Sequence, residues 1–255
     1  MNVKIAACQM PEIRRDVDAA VDEMAQYAAR AQAAGARLLC FPECCVQGYL
    51  VNGPEEQEEG RRAAFELKSP EFAAVLDRLA PYEPVLVFGL LEKDGEAYFN
   101  TAAVVRHGEL LGRYRKNKLL GGEGFLTAGT EFPVFDIEGL KFGINICYDT
   151  AHPGPAAAVA QQGAALLLCP ANNMSPYAKA DTLRPVHNPA RGQRARETGM
   201  WILSADITGE RDGRIAHGPT ALLDPSGRVL RQLPLGAPGL LVADIEIPPA
   251  QGAAT

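Results

Sequence analysis

The sequence predicts an α/β protein of two sheets with helices on their outer faces, and three observations carry that prediction. The chain opens with a strand, a long amphipathic helix and a second strand, which make a parallel βαβ unit with a right-handed crossover. Its middle reads as antiparallel hairpins, and its last third returns to alternating helix and strand. Two sheets accommodate that order better than one doubly wound sheet.

Taken in order, Val3 to Gln9 is a short run rich in β-formers and predicts the first strand. From Arg15 to Ala34 the apolar residues Val17, Ala20, Val21, Met24, Tyr27, Ala28 and Ala31 fall at helical spacing, with Gly35 as the stop. Arg37 to Phe41 is the next strand and runs into Pro42-Glu43. Pro70 to Leu79 is helical by spacing, and Pro84 to Leu91 is a strand containing Gly89. Ala97 to Val105 and Glu109 to Tyr114 flank Arg106-His107-Gly108 as a hairpin, and Phe132 to Ile137 pairs with Leu140 to Cys147 around Glu138-Gly139. Ala156 to Gln162 is a helix closed by Gly163, and Ala164 to Cys169 is a buried strand stopped by Pro170. A helix from Pro189 to Thr198 precedes strands at Trp201 to Ile207 and Gly218 to Leu223. Asp224-Pro225-Ser226-Gly227 is a turn into Arg228-Val229-Leu230, and Gly239 to Ile245 is the last strand. With no repeat or linker, residues 1–247 read as one domain and 248–255 as a short polar tail.

At 255 residues and 47% hydrophobic content the chain can bury a full core. The balance of 25 basic against 31 acidic residues, a net −6, argues against a nucleic-acid surface, which needs clustered positive charge. No apolar run approaches the roughly 20 residues that span a bilayer, so no membrane partner is expected. The six cysteines read as reduced thiols of a cytoplasmic protein.

Three residues sit just beyond predicted strands, where an α/β fold gathers its ligands: Glu43, Lys116 and Cys147. Cys147 in Gly143-Ile144-Asn145-Ile146-Cys147-Tyr148-Asp149 reads either as a nucleophile at a strand end or as a small core hydrophobe. Glu43, behind the apolar Leu38-Leu39-Cys40-Phe41-Pro42, is either a partly desolvated base or a solvated strand-end carboxylate. Lys116 is either functional or part of an exposed basic loop, and Asn172 and Asn173 could hydrogen-bond an amide substrate or simply make a turn. Cys40, Cys44 and Cys45 lie close together but have no histidine near in sequence, so no metal is expected. There is no Gly-x-Ser-x-Gly elbow and no phosphate-binding fingerprint, and no cofactor is expected.

Phe41-Pro42-Glu43, Tyr114-Arg115-Lys116 with Leu119, and Ile146-Cys147-Tyr148-Asp149 together resemble the three signatures of the nitrilase superfamily of carbon–nitrogen hydrolases. Weaker matches extend along nearly the whole chain, including Gly48-Tyr49, Phe88-Gly89-Leu90, Tyr98-Phe99-Asn100 and Arg194-Ala195-Arg196-Glu197. The resemblance implies a four-layer αββα sandwich and a Glu43–Lys116–Cys147 triad, with Glu43 the base, Lys116 facing the oxyanion and Cys147 the nucleophile. It further implies Glu123 as an orienting or second carboxylate, Tyr49 beside the substrate and the Tyr148 backbone N–H as a second oxyanion donor. After the nucleophile the sequence departs from many relatives, with Ala151 where they carry arginine and His152 where they carry an aromatic residue. His152 is therefore expected to pack, and a substrate carboxylate has no clamp at Ala151.

The expected activity is hydrolysis of a small linear amide or N-carbamoyl compound through a thioester, by a homodimer or larger homo-oligomer. The competing readings are an inactive scaffold subunit, a true nitrilase, and a glutaminase unit serving a synthetase on a separate chain.

Overall fold

A computed structural model describes residues 1–247; the tail expected at 248–255 lies outside the described residues. Strand β1 (Asn2–Pro11), helix α1 (Val17–Ala33) and strand β2 (Leu38–Cys40) form the opening unit, with β1 and β2 parallel through Ile5 and Leu38. Asp16 caps α1 by accepting from Ala19 N at 3.0 Å, and Gly35 leaves it at φ +75°, a conformation that favours glycine. Helix α2 (Pro54–Ala63) and helix α3 (Pro70–Leu79) follow, Ser69 capping α3. Strands β3 (Val85–Asp94), β4 (Ala97–Arg106) and β5 (Glu109–Arg115) make an antiparallel meander, joined to the first unit by parallel β2–β3 pairing.

The second half begins with the hairpin β6 (Phe135–Ile137) and β7 (Leu140–Ile144), then helix α4 (Pro153–Ala160) and strand β8 (Leu166–Pro170), parallel to β7. The short strand β9 (Ser175–Pro176) and helices α5 (Tyr177–Leu183) and α6 (His187–Thr198) lead to β10 (Trp201–Arg211), parallel to β8. Strands β11 (Arg214–Ala216), β12 (Ala221–Leu223), β13 (Val229–Gln232) and β14 (Gly239–Glu246) complete the order, β14 running antiparallel along β1 from Asn2 to Gln9.

The strand order β5-β4-β3-β2-β1-β10-β8-β7-β6 is continuously hydrogen bonded. The two expected sheets are thus two halves of one curled sheet. Their seam is short: β1 meets β10 only through Gln9, Met10 and Pro11, starting at Gln9 where the pairing with β14 ends.

The cores show the four layers. Ile5, Val87 and Val104 from one half face Ile144, Leu168 and Leu203 from the other across the middle. On one outer side Phe41, Leu86 and Phe88 meet Val21, Met24 and Phe72 of α1 and α3. On the other, Leu167, Cys169 and Ile202 meet Val159 and Ala195 of α4 and α6. Each such aliphatic side chain contributes roughly 1.5–3 kcal/mol when fully buried.

The predicted strand reaching Cys147 stops at Ile144 instead. Asn145 N still donates across to Leu168 O at 2.9 Å, but beyond it the Ile146 N–H goes to the Asp149 side chain at 2.9 Å, which takes the backbone out of the ladder. The strand foreseen from Phe132 begins only at Phe135, after Pro133. Helices α2 and α5 and the small pair β9–β11 are additions that the sequence reading did not contain. Among the described residues no helix is long and apolar enough to cross a membrane.

Candidate active site

Glu43 and Lys116 both arrive from the first half, just past β2 and β5, which β3 and β4 separate. Strand β3, beside β2, lets the Glu43 loop approach closely. A Cβ on Gly89 would stand 2.2 Å from Cys44 N and 2.7 Å from Pro42 O, so β3 needs glycine where this loop crosses it.

Lys116 Nζ donates to Glu43 Oε1 at 2.7 Å and to Glu123 Oε1 at 2.9 Å, and all three side chains are fully buried. Asn100 Nδ2 bridges the same two oxygens at 2.7 and 3.0 Å. The second oxygen of Glu43 accepts from Asn172 N at 2.9 Å, and that of Glu123 from Leu120 N at 2.6 Å. Burial raises the Glu43 carboxyl above its ordinary range, with Lys116 opposing the rise. Burial works against the Lys116 ammonium too, but Glu43, then Tyr49, Cys147 and Glu123, hold it well above the usual lysine range. Its charge also lies 5.7 Å from the centre of the buried Tyr49 ring.

Cys147 comes from the other half of the sheet. It opens a single 3₁₀ turn, Cys147–Ala151, with φ +44°, a region that non-glycine residues rarely occupy. Asp149 holds this turn against the lysine segment, accepting from Ile146 N at 2.9 Å, Lys118 N at 2.7 Å, Asn117 N at 3.2 Å and the Tyr114 hydroxyl at 2.8 Å. Burial pushes the Cys147 thiol well up and Glu43 pushes it further, while Lys116 opposes both. A thiol so placed stays protonated until a base takes its proton. Asn173 Oδ1 lies 3.7 Å from its sulfur.

Half-buried Cys147 lines a cavity of about 320 Å³ whose walls are mostly apolar, with Leu120, Ala151, Met174, Leu183 and Val186 among them. Asn172, Asn173, His187 and Arg191 are also at the wall. Tyr148 stands at the rim with an exposed ring, 4.9 Å edge-to-face from His152. Arg191 is buried with its guanidinium 3.6 Å from Asp206, and His187 is held neutral, lowered to about 4 by burial and by Arg191.

The structure thus brings Glu43, Lys116 and Glu123 into one hydrogen-bonded cluster and places Tyr49 beside it. It sets Cys147, Tyr148, Asn172 and Asn173 on the adjoining cavity. Sequence reasoning assigned no site role to Asn100, Asp149, Asp206, Arg191 or His187. A buried asparagine or aspartate within an apolar strand was the available signal for Asn100 and Asp206. Cys40, Cys44 and Cys45 are each buried, and their sulfurs point to Phe41 O, Asn100 Oδ1 and Gly89 O respectively.

A family model described as carbon-nitrogen hydrolase matches residues 4–254. A protein named nitrilase from Pyrococcus abyssi is 30% identical over 247 residues, 96% of this chain and 90% of its own. An (R)-stereoselective amidase from Pseudomonas is 29% identical over 219 residues, covering 85% of this chain and 76% of its own. Among solved structures, an amidase from Nesterenkonia sp. AN1, of the nitrilase superfamily, superposes with a TM-score of 0.80 at 26% identity, over 95% of this chain and 90% of that one. Another structure of that amidase, a variant, carries acrylamide added at the active-site cysteine.

Proposed function

Because the chain belongs to the carbon–nitrogen hydrolase family, we propose that it cleaves a small linear amide or N-carbamoyl compound with Cys147 as nucleophile. The observation that carries this reading is Lys116, a buried ammonium gripped by two carboxylates and acting electrostatically on the half-buried Cys147 thiol, whose backbone is held at positive φ. Burying such a cluster carries a desolvation penalty that its pairing only partly offsets, and stabilising an oxyanion is a purpose that an ammonium there can serve.

In the first half-reaction Cys147 Sγ bonds to the carbonyl carbon as Glu43 takes the thiol proton. The carbonyl oxygen becomes an oxyanion facing Lys116 and the Tyr148 backbone N–H. The C–N bond then breaks, Glu43 gives its proton to the leaving nitrogen, and ammonia or an amine departs from a thioester. In the second, water adds to the thioester carbon and loses a proton to Glu43. The C–S bond breaks, the proton returns to sulfur and the acid leaves. The raised affinity of Glu43 for protons suits both directions of transfer. Glu123 orients Lys116, since it shares the same ammonium and is anchored by Leu120 N.

The cavity wall favours an uncharged tail on the substrate. Arg191 is balanced by Asp206, His187 is neutral, and Ala151 offers no charge. A free carboxylate or ammonium would therefore lose water without gaining a partner. The nitrilase among the relatives supports a nitrile as the second reading. Ammonia release from simple amides, N-carbamoyl amines, N-carbamoyl amino acids and nitriles decides between them. Turnover of uncharged amides or carbamoyl compounds is expected; turnover confined to nitriles overturns the proposal.

A further inference from the structure

Asn173 Oδ1 lies 3.7 Å from the Cys147 sulfur and accepts from its thiol, yet the rotation of this carboxamide is set elsewhere. Asp206, buried on β10, uses both oxygens on this one residue. Its Oδ1 accepts from Asn173 N at 3.0 Å and from Ile207 N at 3.0 Å, and its Oδ2 accepts from Asn173 Nδ2. Arg191 of α6 stands 3.6 Å behind Oδ2. Its other nitrogen donates to Pro219 O at 2.8 Å and to Asn188 Oδ1 at 3.1 Å, which ties the guanidinium to the frame.

Burial raises the Asp206 carboxyl and Arg191 opposes the rise, and both of its oxygens accept from N–H groups, as only a carboxylate in the acceptor role can. Asp206 therefore obliges Asn173 to turn its NH₂ inward, and Oδ1, which can only accept, is left 3.7 Å from Cys147. We infer that the Arg191–Asp206 pair is a positioning device that keeps the acceptor face of Asn173 toward the reacting centre, so that the site reads an N–H on the substrate. An amide or carbamoyl nitrogen meets that acceptor with a donor, whereas an ester or a nitrile brings none. An unmatched acceptor at a buried centre loses its water without return, so the compounds lacking N–H are discriminated against.

The inference rests on the amide reading for the identity of the N–H donor. Asp206→Asn tests it. The new carboxamide has one acceptor oxygen for the main-chain N–H groups of Asn173 and Ile207, and turns its NH₂ to the Asn173 side chain. Asn173 then flips and shows its own NH₂ to Cys147. The double variant Arg191→Met/Asp206→Asn removes both buried charges together and serves if the single variant fails to fold.

Wild type and variants are compared on an amide and the methyl ester of the same acyl group. The expected result is a loss of about tenfold or more in kcat/KM for the amide with the ester changed less than about threefold. Equal losses on both substrates, or none, would reduce the pair to a structural element and overturn the inference. A second arm is independent of turnover. Alkylation of Cys147 by iodoacetamide and by iodoacetonitrile, each normalised to a free small thiol, should favour the amide reagent in wild type and lose that preference in the variants. If wild type cleaves no amide, the functional reading falls while this alkylation ratio still decides the role of Asp206. If amides are cleaved and neither ratio moves, the inference falls and the functional reading stands.

Discussion

At the scale of single residues, the cluster of Glu43, Lys116 and Glu123 has an odd number of charges when all three are ionised. One ammonium serves two buried carboxylates, and Asn100 supplies the remaining donor. Glu43→Gln removes the excess negative charge while Lys116 keeps Glu123 as partner. The variant should lose about 10²-fold or more in turnover and keep or raise its melting temperature. Lys116→Ala leaves two carboxylates facing each other without a cation, so it should lose both activity and several kcal/mol of stability. Kinetics alongside thermal melts separate the two. A Glu43→Gln variant that is active, or a Lys116→Ala variant that melts normally, would contradict this account of the cluster.

At the scale of elements, the site depends on close approaches that only particular residues permit. Gly89 lets β3 pass under the Glu43 loop, with backbone atoms of Pro42, Glu43 and Cys44 all within 2.7 Å of where its Cβ would be. Gly89→Ala must push that loop away, and overpacking of this kind costs about 1–3 kcal/mol or more. A lowered melting temperature with activity lost in the folded fraction is expected; a fully active Gly89→Ala protein would show that the loop is free to move. The same element level explains what could be read from the sequence. Helices α1 and α3 were legible because their buried residues, from Val21 to Ala31 and Phe72 to Leu79, repeat at helical spacing. Helix α2 was not, since Pro-Glu-Glu-Gln-Glu-Glu-Gly-Arg-Arg-Ala buries only Gly60 and has no apolar stripe to detect. The strand expected to reach Cys147 ends three residues earlier, at Ile144, because Asp149 takes the Ile146 N–H through a side-chain bond that no periodicity records. The polar frame of the site was legible only where a motif marked it: Glu43, Lys116 and Cys147 stand in motifs, whereas the Arg191–Asp206 pair joins residues from separate elements.

At the scale of the whole molecule, curling one sheet into two facing halves is what lets Cys147 and Glu43 share a site, since they come from opposite sides of the β1–β10 seam. The mouth of the cavity is unusually apolar for a surface: Leu120, Tyr148, Leu183 and Val186 are all exposed there. We propose that the chain works as a homodimer, the commonest closed oligomer. Light scattering at micromolar concentration should give twice the mass of one chain, and a monomeric mass would count against it.

The measurement closest to the central claim compares kcat/KM for an amide and a nitrile that share one uncharged side chain. In the proposed mechanism, Lys116 and the Tyr148 N–H as oxyanion donors and Glu43 as proton carrier would be complementary to a tetrahedral intermediate that bears oxygen. A nitrile has no oxygen at first attack. The account predicts faster turnover of the amide; a nitrile hydrolysed faster than its matched amide would contradict it.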